Sequence, residues 1–317
     1  MSRCVDRRDF LTRSAAAGIA LGVGPVSLGS LPHPGSTTGS ARMGIARWTG
    51  TDDALPDDAT LARKLTRAAL DEAGGLGPYV SRGDVVWIKP NIAWNRKPEL
   101  AATTHPEVVR VLAQASFEAG AGTVKIGDHT CHDARLCYKS SGIAAVAREV
   151  GAEMITLDTN RFREMEIGGD RLDRWPVYPE IVESDLVINV PIVKHHGLSR
   201  TSLCMKNYMG VVGGRRGTWH QDLPACLVDI TRFMKPRISV LDGVRALSDH
   251  GPTGGNVRDV IHPRVVAAGT DPVALDALGA ELLDLEPAAV STIRAAQRAA
   301  LGVVDYKSLG PSVRSLS

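Results

Sequence analysis

Six short runs of apolar residues punctuate the chain, and segments of helical periodicity lie between several of them. The runs are Val85 to Lys89, Val124 to Asp128, Met154 to Asp158, Leu186 to Val190, Ile238 to Asp242 and Val265 to Ala268. Strands that are apolar without alternation are buried on both faces, which requires helices above and below a largely parallel sheet. The expected fold class is therefore α/β, a mostly parallel sheet with helices on both faces. Between the first two runs, His105-Pro106-Glu107 places proline at a helix's first turn, and Val108, Leu112, Ala115 and Ala119 fall on one face before Gly120 and Gly122 stop the helix. Ile143, Val146, Ala147 and Val150 predict a second helix ending at Gly151. Phe162 to Pro179 breaks the pattern around Gly168-Gly169-Asp170 and predicts a small β-hairpin excursion.

A chain of 317 residues that is 44% apolar can bury a core without metals or disulfides. Its net charge of +2 and aromatic content of 4% argue against a nucleic-acid partner.

At the N-terminus, Arg7-Arg8 stands before Phe10-Leu11 and an Ala- and Gly-rich stretch from Ala15 to Leu28. This pattern resembles a twin-arginine export signal, expected over residues 1–30. The stretch is shorter than the roughly 20 residues of a spanning helix. The implied partner is the twin-arginine translocase and the implied location is the periplasm, with no membrane span in the mature chain. Loss of residues 1–30 removes four arginines and two aspartates and leaves a net charge of zero. A Pro-, Gly- and Ser-rich leader follows over 31–42, and a single α/β domain is expected over 43–317.

In open parallel sheets ligands sit beyond the carboxyl ends of the strands, where loops converge. Here those ends deliver Lys89-Pro90-Asn91, Asp128-His129, Lys194-His195-His196, Asp242-Gly243 and Asp271-Pro272. Asp271 also reads as a helix cap, whereas Asp276, one turn later, has no such simple role. Thr201 to Val212 is expected to be a helix carrying Lys206 and Asn207. It leads into Gly213-Gly214-Arg215-Arg216-Gly217 and His220, where glycine amides and arginine forks suit an anion, although the run also reads as an exposed loop.

His129, Cys131, His132 and Cys137 lie within nine residues but match no standard zinc spacing. A local disulfide or two unpaired thiols is favoured there over a metal. Cys204 and Cys226 read as core residues. Asp249 to Gly255 describes a tight loop directly after a strand, where binding groups or plain turn chemistry would both fit.

Lys89-Pro90-Asn91, Val190-Pro191-Ile192-Val193-Lys194-His195, Met205-Lys206-Asn207 with Gly210, His220, Gly251-Pro252 and Asp271-Pro272 with Asp276 together resemble the family known as domain of unknown function 362, over about residues 80 to 285. The resemblance implies an α/β protein, and many members carry an added ferredoxin module. No Cys-x2-Cys-x2-Cys run occurs here, so a ferredoxin-type iron–sulfur cluster is not expected. His196, Gly197 and Lys206 are also similar, as analogy only, to a pattern in the nickel-pincer lactate racemase group.

The leading expectation is an exported enzyme acting on a small anionic substrate, with a divalent metal or preloaded cofactor as an option. His195, His196, Lys206 and His220 are the candidate catalytic groups. Lys89, Asn91, Lys194, Asn207, Arg215 and Arg216 are the candidate substrate-binding groups. Asp128 and Asp242 would orient the histidines or bind a cation, with His129 as a further candidate metal ligand. The competing expectation is a periplasmic anion- or metal-binding protein without chemistry.

Overall fold

The computed structural model describes residues 42–317. The expected export signal, and all but the last residue of the expected leader, lie outside the described residues. Thirteen strands are present among the described residues: β1 (Met43–Trp48), β2 (Val85–Pro90), β3 (Thr123–Ile126), β4 (Glu153–Met154), β5 (Arg163–Glu166), β6 (Arg174–Val177), β7 (Leu186–Val190), β8 (Ile192–His196), β9 (Arg200–Ser202), β10 (Ile238–Leu247), β11 (Val260–Ile261), β12 (Val265–Gly269) and β13 (Ser312–Leu316). The α-helices are α1 (Asp58–Glu72), α2 (Pro106–Glu118), α3 (Ala134–Ser140), α4 (Ile143–Val150), α5 (Pro179–Glu183), α6 (Cys204–Asn207), α7 (Leu223–Met234), α8 (Pro272–Glu281) and α9 (Ser291–Arg298).

The main sheet runs β13-β1-β12-β10-β7-β2-β3-β4, with β8, β9 and β11 attached through β10. Its centre, β10-β7-β2-β3-β4, is parallel, as the apolar runs predict. Strand alternation sorts the two faces. Val86 and Ile88 of β2 pack among buried residues of α1, α2 and α4, whereas Trp87 packs with Tyr178, Met205, Tyr208 and residues of α7 and α9. Lys89 follows Trp87 by two residues and so stands on the α6–α7 side of the sheet. The β5–β6 hairpin forms at the expected place, with Arg163 opposite Val177.

Three expectations are corrected. β12 is antiparallel to β10, Gly269 lying opposite Ser239, so Asp271 emerges at the amino-terminal edge of the parallel strands, away from Lys89 and Asp128. There it caps α8, accepting the Val273 and Ala274 amides. β10 continues beyond Asp242 to Leu247, which leaves Asp242 inside a buried strand. Thr201 to Val212 is not one helix: β9 ends at Ser202, α6 has four residues and a 3-10 turn spans Tyr208–Val211. β9 folds back on β8, pairing Lys194 with Ser202, a local hairpin that overrides helical spacing.

Candidate functional site

A cleft of about 430 Å³ opens where β2, β3 and β8 end, lined on its other side by α6, the Tyr208–Val211 turn and the 3-10 segment Arg216–Gln221. Beneath it Lys89 Nζ donates to Asp128 Oδ1 at 2.6 Å and to the Pro90 carbonyl at 2.8 Å, while Asp128 Oδ2 accepts the Ile92 amide at 2.7 Å. Both side chains are buried, and burial lowers the Lys89 pKa against the pull of Asp128. Gly210 covers the pair so closely that a Cβ there would stand 1.8 Å from Asp128 Oδ1 and 2.7 Å from Lys89 Nζ. Only glycine fits above this pair.

A chain of amides connects the strand ends to α6. Asn91 Nδ2 donates to Asn207 Oδ1, and Asn207 Nδ2 donates to Asn189 Oδ1 and to the Lys89 carbonyl. α6 has only four residues; its first amides, Cys204 and Met205, donate to the two oxygens of buried Asp276 on α8. Burial pushes Asp276 up to about 7, against these two amides. Asp276 therefore anchors the segment that presents Lys206 and Asn207.

The cations of the cleft differ in their partners. Lys194 is 1% exposed and donates to Asn91 Oδ1, Ala102 O and Pro252 O, while burial and the neighbouring Lys206 charge lower it to about 7. Lys206 Nζ touches Met209 Sδ at 3.5 Å, and burial lowers it to about 8. Arg216 donates to the Met209 and Thr130 carbonyls. Among the described residues none of these three has a carboxylate within 4 Å, whereas Lys89 does.

Two histidine rings stack across the cleft, His196 and His220, with centroids 5.4 Å apart. His196 Nδ1 accepts the Leu198 and Ser199 amides, so its neutral ring carries hydrogen on Nε2. Burial, then the Lys206 charge, lowers His196 to about 3. His220 Nδ1 faces the Gly217 carbonyl, which can only accept, so neutral His220 has its lone pair on Nε2. That Nε2 is buried and has no hydrogen-bond partner among the described residues. The pair thus combines an N–H donor with a bare acceptor.

The cleft brings together Asn91, Asp128, His129, Lys194, His196, Lys206, Asn207, Arg216 and His220. Four expected residues stand elsewhere. His195 alternates with Lys194 and His196 along β8, so its side chain faces away from theirs and its Nδ1 accepts the Gly251 amide. Lys89 lies beneath the cleft, paired with Asp128. Arg215 is exposed, and its neighbour Arg216 turns inward. Asp242 lies on the α2 side of the sheet, accepting the His105 and Val244 amides.

The expected Asp128, His129 and Asp242 set is therefore not assembled. Asp128 is held by Lys89, His129 Nδ1 donates to the Val212 carbonyl, and no three His, Cys, Asp or Glu residues among those described are grouped to hold a metal. Cys131 and Cys137 are both free thiols. Cys137 points into the core beneath α3, where burial raises it to about 11, whereas Cys131 lies on the cleft rim. Gly210 and Asp276 are the positioning residues least legible as such; a glycine inside an otherwise helical run was the only local sign of the first.

No helix among the described residues is long and apolar enough to cross a membrane. The chain is 30% identical over 244 residues to the thylakoid-associated protein sll1697 of Synechocystis sp., a match covering 74% of each chain. A solved structure, the lactate racemase apoprotein from Thermoanaerobacterium thermosaccharolyticum, aligns with a TM-score of 0.41 and 13% identity, covering 76% of this chain and 61% of that one. The present chain thus spans about three fifths of that structure's length. The domain of unknown function DUF362 matches residues 86–281, the segment that supplies every residue placed in the cleft, and the chain belongs to that family.

Proposed function

We propose that this chain is an exported α/β enzyme, folded as one domain from Met43 onward, that acts on a small anionic substrate held by Lys194, Lys206 and Arg216. The observation that carries this reading is the absence of a carboxylate beside any of the three among the described residues. Lys194 is buried and Lys206 and Arg216 are half-buried; a cation withdrawn from water without a counter-charge is costly, and an entering carboxylate or phosphate would relieve that cost, most of all at Lys194. An anion beside Lys194 and Lys206 would raise both of them back toward the ordinary lysine range, against the burial that lowers them.

In this reading His220 Nε2 takes a proton from the bound substrate and His196 Nε2–H donates a hydrogen bond to it. Lys89 and Asp128 support the floor without touching the substrate. Asp128 is paired with Lys89, and no three His, Cys, Asp or Glu residues among those described are grouped to hold a divalent cation, so no step passes through one.

The test is calorimetric titration of the full domain with malonate and with inorganic phosphate, in the parent and in Lys206→Met and Arg216→Gln variants. Binding in the parent that falls at least about tenfold in both variants is expected; equal binding in all three, or none in the parent, would sink the proposal. His220→Gln should keep the anion and lose turnover, which separates chemistry from simple carriage. Export is tested by Arg7→Lys/Arg8→Lys, which should leave the full chain in the cytoplasm.

A further inference from the structure

Cys131 has no task in the reading above, yet its surroundings are unlike those of the other described cysteines. Cys137, Cys204 and Cys226 are buried, whereas Cys131 is exposed and lines the cleft. Its amide donates to the Ala93 carbonyl at 2.8 Å, which fixes the backbone, and Arg216 Nη2 lies 3.5 Å from its Sγ. Lys194 and Lys206 lie close enough to interact electrostatically with it. Among the described residues the one carboxylate lining the cleft, Asp128, is occupied by Lys89.

A thiolate is the nucleophilic form of cysteine, and neighbouring cations stabilise it. The same cations attract a negatively charged reagent and hold it beside the sulfur. A second feature of the cleft points to a ligand: the buried His220 Nε2 has no hydrogen-bond partner among the described residues. We propose that Cys131 is a covalent modification site inside the anion cleft, selective for small electrophiles that carry a negative charge.

The inference rests on the anion-binding reading. With a haloacetate, the sulfur forms a bond to the methylene carbon, the carbon–halogen bond breaks with its electron pair leaving on halide, and the thiol proton goes to solvent. No oxidant is required.

The experiment alkylates the full chain with iodoacetate and, separately, with iodoacetamide, and follows the Cys131 peptide by mass spectrometry. The rate ratio of the anionic to the neutral reagent should exceed that of the same cysteine in denatured protein by about tenfold. Molar salt should erase most of the excess, and Arg216→Gln should lower it. Lys206→Gln is the second variant should Arg216→Gln fail to fold. A ratio equal to that of denatured protein overturns the proposal. If malonate still binds in that case, the cleft reading survives and only the cysteine is misassigned; if malonate binding is also absent, both fall together.

Discussion

Replacing Asp128 by asparagine removes one charge from the floor of the cleft and little volume. The side chains of Lys89 and Asp128 are 0% and 2% exposed, so water cannot replace the lost carboxylate. Lys89 would keep the Pro90 carbonyl and the amide oxygen, neither of which is a counter-charge. Breaking a buried pair by removing one partner costs about 3–5 kcal/mol. An independent ceiling comes from letting the amine go neutral: releasing the proton of a lysine of ordinary pKa at pH 7 costs about 4–5 kcal/mol. The two figures agree, and at about 2–4 °C per kcal/mol for a domain of this size the melting temperature should fall by about 10 °C.

The pH dependence carries a sign. In the variant the folded pKa of Lys89 lies further below its unfolded value than it already does, so unfolding takes up a proton and is favoured as pH falls. The deficit against the parent should therefore grow from pH 10 to pH 7 and nearly vanish at pH 10. Circular-dichroism melts and urea titrations at both pH values measure it. The double variant Lys89→Met/Asp128→Asn should recover most of the loss, because no charge is left buried. A single variant within about 1 kcal/mol of the parent, or a double variant that loses the sum of both singles, would refute the assignment of Asp128 to Lys89.

Gly210→Ala must push a methyl group against Asp128 Oδ1, 1.8 Å from its ideal position, and should cost about 2–3 kcal/mol in urea unfolding. Asp276→Ala orphans the Cys204 and Met205 amides, at about 1–3 kcal/mol each; hydrogen exchange should report both amides opening and malonate binding should weaken as Lys206 shifts. Malonate affinity should fall as pH rises through about 7 and then about 8, where Lys194 and Lys206 in turn lose their protons; titrations at pH 6, 7 and 9 would show it, and a flat profile would remove both lysines from the site.

Much of the sheet was legible because strands buried on both faces leave uninterrupted apolar runs. The parallel strands at Val85 and Leu186 and helices α2 and α4 fall where such runs and 3.6-residue spacing place them. Strand direction leaves no such trace: Val265 to Gly269 reads the same whether parallel or antiparallel, and only its pairing with β1 and β10 moves Asp271 to the far edge. Nor does the length of β10 show in its apolar start, since Asp242 looks like a strand end until Gly243 to Leu247 continue the pairing with β8, β11 and β12. The β8–β9 hairpin was hidden for another reason. Its strands are five and three residues long, and the second runs directly into α6, so no window is long enough to show a period.

His195 and His196 adjoin in sequence and serve opposite sides of one strand, and His195→Gln set beside His196→Gln tests that geometry most directly. If alternation along β8 governs, His196→Gln should weaken malonate binding because the ring lines the cleft beside Lys206, while His195→Gln should leave binding intact and instead lower stability by about 1 kcal/mol through the lost Gly251 contact. The pH profile sharpens the contrast. His196 is held near 3, so the parent's binding should show no inflection between pH 5 and 7 from its titration. Calorimetry across that range reads binding and urea melts read stability. Should His195→Gln abolish malonate binding while His196→Gln does not, β8 must present its other face to the cleft and the whole cation arrangement would have to be redrawn from Lys194 outward.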